Sequence, residues 1–343
     1  MKKYIYKIGV FFLSLPFLGV TASCDDWFGI MPQSEMVAED FWKDEQDVKS
    51  AVGACYRAML EDGFMRRLVV WGELRSDNVI NGLGTDTEIG YILNANLNEA
   101  NSYCKWNDFY TVINYCNTVI QNAPMVRERD ADFTEEDLNQ YLAEAKGIRA
   151  FCYFTLARTF KDIPYMETPY VDDTQRFQVG QTPFENVLDT LIRDLKTVEN
   201  VAVTEYGENT AYTRGRVTQK AIWALIADMS LWRGNYRQCV DYCNKILTTA
   251  TNPLALLPAD TYFNTVFGPA TGNSDESIWE LQFDPNTTNG AVNTFYGSSN
   301  NSSPLLSSLD FDGQNGEDWW DGLDMRRAQS YVCLLYTSPS PRD

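Results

Sequence analysis

The clearest chemical feature of the chain is that none of its 343 residues is histidine. Without imidazole it cannot form a Ser-His-Asp or Cys-His nucleophilic system, or a histidine-ligated zinc or haem site. Paired carboxylates, which are sufficient for glycoside hydrolysis, remain available. The 47 acidic residues allow so many pairs that no particular pair is indicated. The composition therefore weakens the case for an enzyme without excluding one, and it indicates no cofactor.

The thiol of Cys24 stands at the end of an N-terminal leader. Three lysines among the first seven residues precede an apolar run that is too short and too interrupted to span a membrane. This pattern predicts a signal peptide over residues 1–23. Ala22, Ser23 and the following cysteine resemble the lipobox of bacterial lipoproteins, although Thr21 stands where leucine is usual. The resemblance implies that Cys24 is acylated; an ordinary signal peptide with Cys24 as a spacer is the alternative.

The remaining potential metal ligands do not form a recognisable site. Cys239 and Cys243 lie four residues apart on one predicted helix and are too few to hold a metal. The segment DFDGQNGED is similar to a calcium loop, but Gly316 stands one place late for the required turn. No metal site is predicted. Buried free thiols are favoured over disulfides for six cysteines in apolar helical patterns, which are Cys55, Cys104, Cys116, Cys152, Cys239 and Cys243.

The charge of the chain argues against nucleic acid as a partner. The formal net charge is −19 at pH 7, and removal of the lysine-bearing leader would make it more negative. Such a field repels phosphate backbones, and no basic cluster interrupts it.

Apolar residues at helical spacing predict six long helices. The third, EEDLNQYLAEAKGIRAFCYFTLARTF, has an apolar face wide enough to pack on two sides. The fourth begins with Thr182 as a capping residue and Pro183 in the first turn. The fifth and sixth are joined by a Gly234–Asn235 turn. The approximate spans are 38–60, 105–121, 135–160, 182–198 and, for the last pair together, 217–247.

A helix pair joined by a tight glycine turn is typical of a tetratricopeptide repeat. Long polar segments separate the helices at about residues 71–100, 161–181 and 251–330, and SIWELQF at 277–283 is predicted to be a strand. The predicted fold is therefore mainly α. It is a tetratricopeptide-like solenoid of helix pairs with long irregular loops and a few short strands.

The segment AEAKGIRAFCYFTLARTFKDIPY resembles the signature helix of the SusD/RagB family, the surface nutrient-binding lipoproteins of Bacteroidota. Lys161 replaces the glycine that is usual before Asp162. The resemblance continues through the helix ending in Arg193-Asp194-Leu195, through Gly215-Arg216-Val217 and through LWRGNYRQC. It also includes FWKDEQDVKSAVGACYRAML and WGELRSDN near the start, and extends to about residue 332.

The resemblance implies a domain organisation. A helical domain is expected over residues 24–250, followed by the start of an irregular ligand-binding region over 251–332. Residues 333–343, CLLYTSPSPRD, are similar to the tails of unrelated truncated gene models. We expect this segment to be foreign to the protein and the chain to be an amino-terminal fragment, because members of the family are considerably longer.

The resemblance also implies a function without catalysis. Members bind oligosaccharides, or peptides in some branches, and pass them to a SusC-like TonB-dependent transporter. The expected location is the outer face of the outer membrane, with Cys24 inserted in the lipid. Asp25 and Asp26 resemble the export signal that follows the lipidated cysteine; the alternative is that they merely belong to an acidic chain.

Candidate ligand residues follow from this expectation, because sugar rings stack on exposed aromatic side chains beside polar loops. Each aromatic candidate has an ordinary role in the core as the alternative. A tetratricopeptide scaffold without a ligand is the alternative from another class, and a hydrolase ranks below it. The candidates are Trp71, Asp77 and Asn78 in WGELRSDN, Tyr296 in an Asn/Ser-rich segment, and Trp319 and Trp320 in GEDWWDG.

Overall fold

The computed structural model describes residues 41–76, 79–82, 84–171, 175, 178–267, 272–283, 287–296 and 305–307. The chain divides into two units, residues 1–41 and 42–343, and every element below belongs to the second unit. The leader, Cys24, Asp25 and Asp26 lie outside the described residues. The proposed domain boundary near residue 250 stays a prediction.

The described residues form helices joined by irregular segments and two short strand pairs. The helices are α1 (Glu45–Met59), α2 (Asp62–Glu73), α3 (Thr87–Leu93), α4 (Asn107–Arg129), α5 (Glu135–Phe160), α6 (Phe184–Val198), α7 (Thr210–Gly215), α8 (Gln219–Trp232), α9 (Tyr236–Thr248), α10 (Ala259–Phe267) and α11 (Gly290–Tyr296). The strands are β1 (Val79–Asn81), β2 (Ile163–Pro164), β3 (Gln181–Thr182) and β4 (Leu305–Ser307). Strand β1 pairs with β4 and β2 pairs with β3, both antiparallel. The prediction of a mainly α fold with few short strands is confirmed.

Helix α5 is the central element of the fold. It packs against α1, α4, α6 and α8, which confirms that its apolar face serves more than one neighbour. Gly147 permits the close approach of the chain before α8, because a Cβ at this position would lie 2.5 Å from Val217 Cγ1. The buried Arg149 donates to Asn117 Oδ1 at 2.7 Å and to Asp194 Oδ2 at 2.6 Å. These bonds join α5 to α4 and α6 inside the core.

Helices α8 and α9 form the predicted pair with a tight turn. Gly234 has φ +73°, a conformation that glycine adopts without steric cost. Asn235 caps α9 by accepting a hydrogen bond from the Gln238 amide at 3.2 Å. The turn and the pair are therefore confirmed.

The predicted start of the fourth helix is wrong in detail. Helix α6 begins at Phe184, and Pro183 occupies the capping position without a side-chain bond. The Phe184 amide instead donates to Asp162 Oδ1 at 2.9 Å. A carboxylate from the preceding turn thus provides the cap that was assigned to Thr182, which lies in β3.

The predicted strand at residues 277–283 is also wrong. These residues are irregular and pack along the end of α7, where the Glu280 amide donates to Arg214 O at 2.8 Å. The Trp279 indole N–H donates to Gly215 O at 3.3 Å. Alternating apolar residues do not make a strand here, because the neighbour is the end of a short helix and not another strand.

Other elements differ in extent from the predictions. The prediction missed α2, and α4 continues past Gln121 and through Pro124, where the buried Ala123 and Val126 hold it in the core. No described helix is both long and apolar enough to cross a membrane.

The described cysteines are free thiols, as favoured from the sequence. Cys55, Cys116 and Cys152 are buried, whereas Cys104 is half-buried in a short 3-10 turn and Cys243 is exposed. The expectation that all six lie buried in helices therefore holds only in part.

Candidate functional site

The candidate site lies on the loop that leaves α2. We use "the rim" for residues 79–82 and 84–106, which contain β1, α3 and the 3-10 turn Ser102–Cys104. This segment begins directly after WGELRSDN, where the sequence placed one group of candidate residues. Helix α2 holds the rim from one side, and α4 continues from its far end.

Two side chains of α2 fix the far end of the rim. Arg67 donates to the carbonyls of Lys105 at 2.9 Å and Ser102 at 3.1 Å. Its guanidinium also lies 2.5 Å from Asp108 Oδ2. The Trp71 indole N–H donates to Tyr103 O at 2.8 Å. Because these donors bind backbone carbonyls, they position residues 102–105 whatever their side chains are.

The ring of Trp71 is half-buried among other aromatic rings. Its centroid lies 4.7 Å from that of Phe109 and 5.0 Å from that of Phe160, the second contact being edge to face. These contacts and the indole bond give Trp71 a role in supporting the rim. Its contact with a ligand stays a prediction.

Glu88 on α3 ties the two halves of the rim together. Its carboxylate accepts hydrogen bonds from the Ser102 amide, at 2.9 Å, and from the Ser102 hydroxyl, while the Asn101 side chain donates to Glu88 O at 3.0 Å. The hydrogen bonds from Ser102 lower the pKa of Glu88 below its ordinary value. Because the pKa of Glu88 is lower in the folded protein than in the unfolded chain, ionised Glu88 stabilises the fold at pH values above its unfolded pKa. This stabilisation is lost as the pH falls through its folded pKa. The bonds therefore hold the rim at neutral pH.

A distant part of the chain packs beside the rim. Strand β4 pairs with β1 in the register Val79 to Ser307, and α11 packs on α2. The Arg66 guanidinium donates to Thr294 Oγ1 at 3.3 Å and to Asp62 Oδ2 at 2.6 Å. The fold thus places the segment that ends at Tyr296 next to the segment that begins at Trp71.

The outer part of the rim is polar and carries exposed apolar side chains. Tyr91 is 41% exposed and Leu97 is 48% exposed. Residues 94–100, which read NANLNEA, are all exposed and include three asparagines. An exposed tyrosine beside several amides can stack on a sugar ring and hydrogen-bond its hydroxyls. The alternation of Asn94, Asn96 and Asn98 is a signal present in the sequence, although none of the three was among the predicted ligand residues.

The other predicted ligand residues lie mostly outside the described residues. This holds for Asp77, Asn78, Trp319 and Trp320. Tyr296 is the last residue of α11, and its side chain is also outside the description. All five stay predictions. Within the described ranges, no group of three or more cysteines, aspartates and glutamates is placed to hold a metal ion.

The helical core and the rim together match known proteins. A family model described as "Starch-binding associating with outer membrane" matches residues 43–231. The chain belongs to the SusD-like family. SusD-like protein P38 of Formosa agariphila is 31% identical over 204 residues, which cover 58% of this chain and 38% of that protein.

Two solved structures show the same fold. Surface glycan-binding protein A of Bacteroides uniformis matches with a TM-score of 0.66 at 19% identity, covering 83% of this chain and 63% of that one. A laminarin-binding SusD-like protein matches with a TM-score of 0.57 at 21% identity, covering 69% and 51%. The SusD-like fold is tetratricopeptide-like, which confirms the predicted architecture.

The description of the family model names starch binding and an association with the outer membrane, and it names no catalysis. The chain spans 38% to 64% of the length of the curated relatives that it matches.

Proposed function

We propose that this protein binds oligosaccharides at the rim and passes them unchanged to a SusC-like TonB-dependent transporter. In this proposal Cys24 carries the lipid anchor, and the protein faces outward from the outer membrane. Asp25 and Asp26 direct its export to that surface. The ligand class follows the family, whose relatives include a glycan-binding protein and a laminarin-binding protein.

The observation that supports the rim as the site is that two distant segments meet beside it. The β1–β4 pair joins the start of the rim, which directly follows Trp71, Asp77 and Asn78 in the sequence, to residues 305–307, which follow Tyr296 in the sequence. Tyr91 and the asparagines of residues 94–100 are exposed on the same loop. Hydrogen bonds from the Arg67 and Trp71 side chains to backbone carbonyls hold residues 103–105 of the loop in place. A preorganised loop loses less entropy on binding.

The test is titration calorimetry of the protein against plant, host and microbial glycans, beginning with starch and laminarin. We expect one class of glycan to bind, and we expect Tyr91→Ala to weaken that binding. Loss of a stacked ring costs about 1–3 kcal/mol by analogy with base–aromatic stacking. This corresponds to about a 5- to 150-fold rise in Kd. The same measurement on Tyr296→Ala, Trp319→Ala and Trp320→Ala tests the other candidate rings.

The matched control is Tyr236→Ala, because Tyr236 is 67% exposed on α9 and lies outside the rim. We expect this variant to keep wild-type affinity. If Tyr91→Ala also keeps it while its circular dichroism is unchanged, the rim is not the glycan site. If the other three ring variants keep it as well, none of the candidate rings contacts the glycan. Trp71→Phe then tests whether the supporting ring itself contacts the ligand.

An oligopeptide ligand is the alternative within the family, and a scaffold without ligand is the alternative outside it. Binding of a peptide mixture, without binding of any glycan, would establish the oligopeptide alternative. The absence of binding to every glycan and peptide would favour the second. The polar, uncharged side chains of Asn94, Asn96 and Asn98 favour sugar hydroxyls over peptide charges.

The lipid anchor is tested by Cys24→Ala. We expect this variant to leave the outer-membrane fraction, because the acyl chains that hold the protein contribute about 0.8 kcal/mol for each buried CH₂. Cys243→Ala is a matched control, since it removes an exposed thiol that lies outside the leader. Unchanged fractionation of Cys24→Ala would refute the anchor.

Export and the partner need separate measurements. Replacement of Asp25 and Asp26 by alanine should reduce the cleavage of the protein by protease added to intact cells. Equal cleavage would mean that these residues carry no export signal.

Purification of the tagged protein from solubilised outer membranes should recover a TonB-dependent transporter, and the absence of the transporter under mild detergent would contradict the partnership.

A further inference from the structure

A cleft of about 290 Å³ separates one face of α4 from residues 166–170, and we call it the α4 cleft. Its volume is close to the lower limit of small-molecule sites, which is about 300 Å³. Asn107, Thr111 and Asn114 line the cleft from α4. Spacings of four and three residues place these side chains on the same face of the helix. The opposite wall is formed by every second residue of the facing segment, beginning with the first.

Side-chain hydrogen bonds fix the wall opposite α4. The Asn114 side chain donates to Tyr170 O at 3.1 Å and accepts from the Tyr170 amide at 2.7 Å. The Asn117 side chain donates to Met166 O at 3.1 Å. From α5, the Tyr153 hydroxyl donates to Met166 O and accepts from the Met166 amide, both at 2.9 Å. Because these bonds end on the backbone of the wall, a ligand meets a preorganised surface.

The α4 cleft is neutral, although the formal net charge of the chain is −19. Of the described residues that line it, none is Asp, Glu, Lys or Arg. The charges adjacent to the lining in the sequence are engaged elsewhere. Asp108 pairs with Arg67 at 2.5 Å, and the Glu167 carboxylate accepts from the Tyr165 hydroxyl at 3.4 Å. An ionic ligand would find no counter-charge in the cleft, so an uncharged polar ligand fits it better.

Tyr115 supplies an exposed aromatic ring to the α4 cleft. It lies on α4 and is 42% exposed. Within the described part of the chain, neither its hydroxyl nor that of Thr168 forms a hydrogen bond. The exposed Thr111 hydroxyl donates to Asn107 O at 3.0 Å, and its oxygen can still accept. An exposed ring beside uncharged hydroxyls suits a sugar, which has an apolar C–H face and an edge of hydroxyls.

We propose that the α4 cleft is a second carbohydrate site and binds one neutral sugar unit. Tyr115 stacks on the sugar ring, and the hydroxyls of Thr111 and Thr168 hydrogen-bond its hydroxyls. The saccharide class rests on the proposed glycan-binding function, whereas the neutrality of the ligand rests on the lining of the cleft. The site is distinct from the rim but adjoins it in the sequence, since Asn107 directly follows Trp106, the last residue of the rim.

The first test measures the binding of glucose, galactose, mannose, xylose and sodium glucuronate by saturation-transfer NMR at equal ionic strength. Tyr91→Ala serves as the parent protein, so that the rim contributes little to the signal. We expect at least one neutral sugar to bind, and glucuronate to bind more weakly than that sugar. Binding of glucuronate as tight as that of the neutral sugars, or no binding of any neutral sugar, would overturn the assignment.

The second test alters the cleft itself. Thr111→Arg places a long charged side chain in the cleft from an exposed helical position, and Tyr115→Ala removes the ring. In the Tyr91→Ala parent, each change should raise the Kd of the bound sugar at least fivefold, because loss of a stacked ring costs about 1 kcal/mol or more. Thr248→Arg is the matched control, since the exposed Thr248 also donates to the carbonyl four residues earlier on its helix.

An unchanged Kd in both cleft variants, with unchanged circular dichroism, would reject the α4 cleft as a site. The outcomes for the cleft and the rim are separable. A neutral glycan whose affinity responds only to Tyr91→Ala would leave the proposed function and reject this site. A neutral glycan whose affinity responds only to Thr111→Arg and Tyr115→Ala would reject the rim and leave this site.

Discussion

At the scale of single residues, Glu144 connects three parts of the fold. It is 1% exposed on α5 and accepts hydrogen bonds from the Tyr56 hydroxyl at 2.6 Å and from Arg216 Nε at 2.9 Å. The Tyr56 hydroxyl oxygen also accepts from the Val217 amide at 2.8 Å. Burial, and then the charge of Glu144, raise the pKa of Tyr56. One buried carboxylate thus joins α1, α5 and the chain before α8.

We predict that Arg216→Met lowers the free energy of unfolding by about 3–5 kcal/mol, because the buried Glu144 loses its counter-charge. The double variant Glu144→Leu/Arg216→Met should recover most of the loss, since no unpaired charge remains. Urea denaturation of the wild type, the single variant and the double variant measures both effects. A double variant as unstable as Arg216→Met would show that shape at this position, and not charge, is decisive.

At the scale of elements, the end of α5 contains a conformation that disfavours its own residue. Lys161 has φ +69°, a region that glycine occupies at no steric cost. The Lys161 ammonium lies 4.6 Å from the centroid of the Phe184 ring, a cation–π contact that partly offsets the strain. The turn after it delivers Asp162 to the start of α6. The backbone geometry therefore serves the packing of α5 against α6.

We predict that Lys161→Gly is more stable than Lys161→Ala by about 1 kcal/mol. Both variants remove the contact with Phe184, so their difference isolates the backbone strain. Chemical denaturation of the two proteins under identical conditions gives this difference. Equal stability, or a more stable alanine variant, would mean that the turn relaxes to an ordinary conformation without cost.

At the scale of the whole molecule, the chain is acidic and lacks any side chain that normally titrates near neutrality. The chain has no histidine and a formal net charge of −19. The tyrosines whose pKa is shifted by burial move upward, away from neutral pH. The protonation of the side chains therefore changes little around neutral pH.

We predict that glycan affinity changes less than twofold between pH 6 and pH 8, because no side chain with an ordinary pKa lies in that interval. Calorimetry of one bound glycan across this range provides the measurement. The prediction fails if affinity changes tenfold while the ligand itself does not titrate. The same measurement at increasing salt concentrations should distinguish neutral ligands, whose affinity changes little, from acidic ligands, whose affinity depends on salt.

The sequence by itself determined the mainly α fold class, the position of α5 and the α8–α9 pair, because these depend on the local spacing of apolar residues and on one glycine turn. It also determined the absence of histidine chemistry. It could not determine the cap of α6, where Asp162 replaces Thr182, or the structure of residues 277–283, where alternation resembles a strand. In both places the hydrogen-bond partner comes from outside the segment.

Only the tertiary structure decided where the candidate sites lie. The β1–β4 pair places two segments side by side that are far apart in sequence, and no local pattern encodes that register. Arg214 and Lys220 are charged residues that a sequence pattern assigns to the surface, yet both are buried, and Arg214 lines a cavity. Burial and pairing depend on neighbours brought from elsewhere in the chain, which is the physical reason that these features appear only in the folded protein.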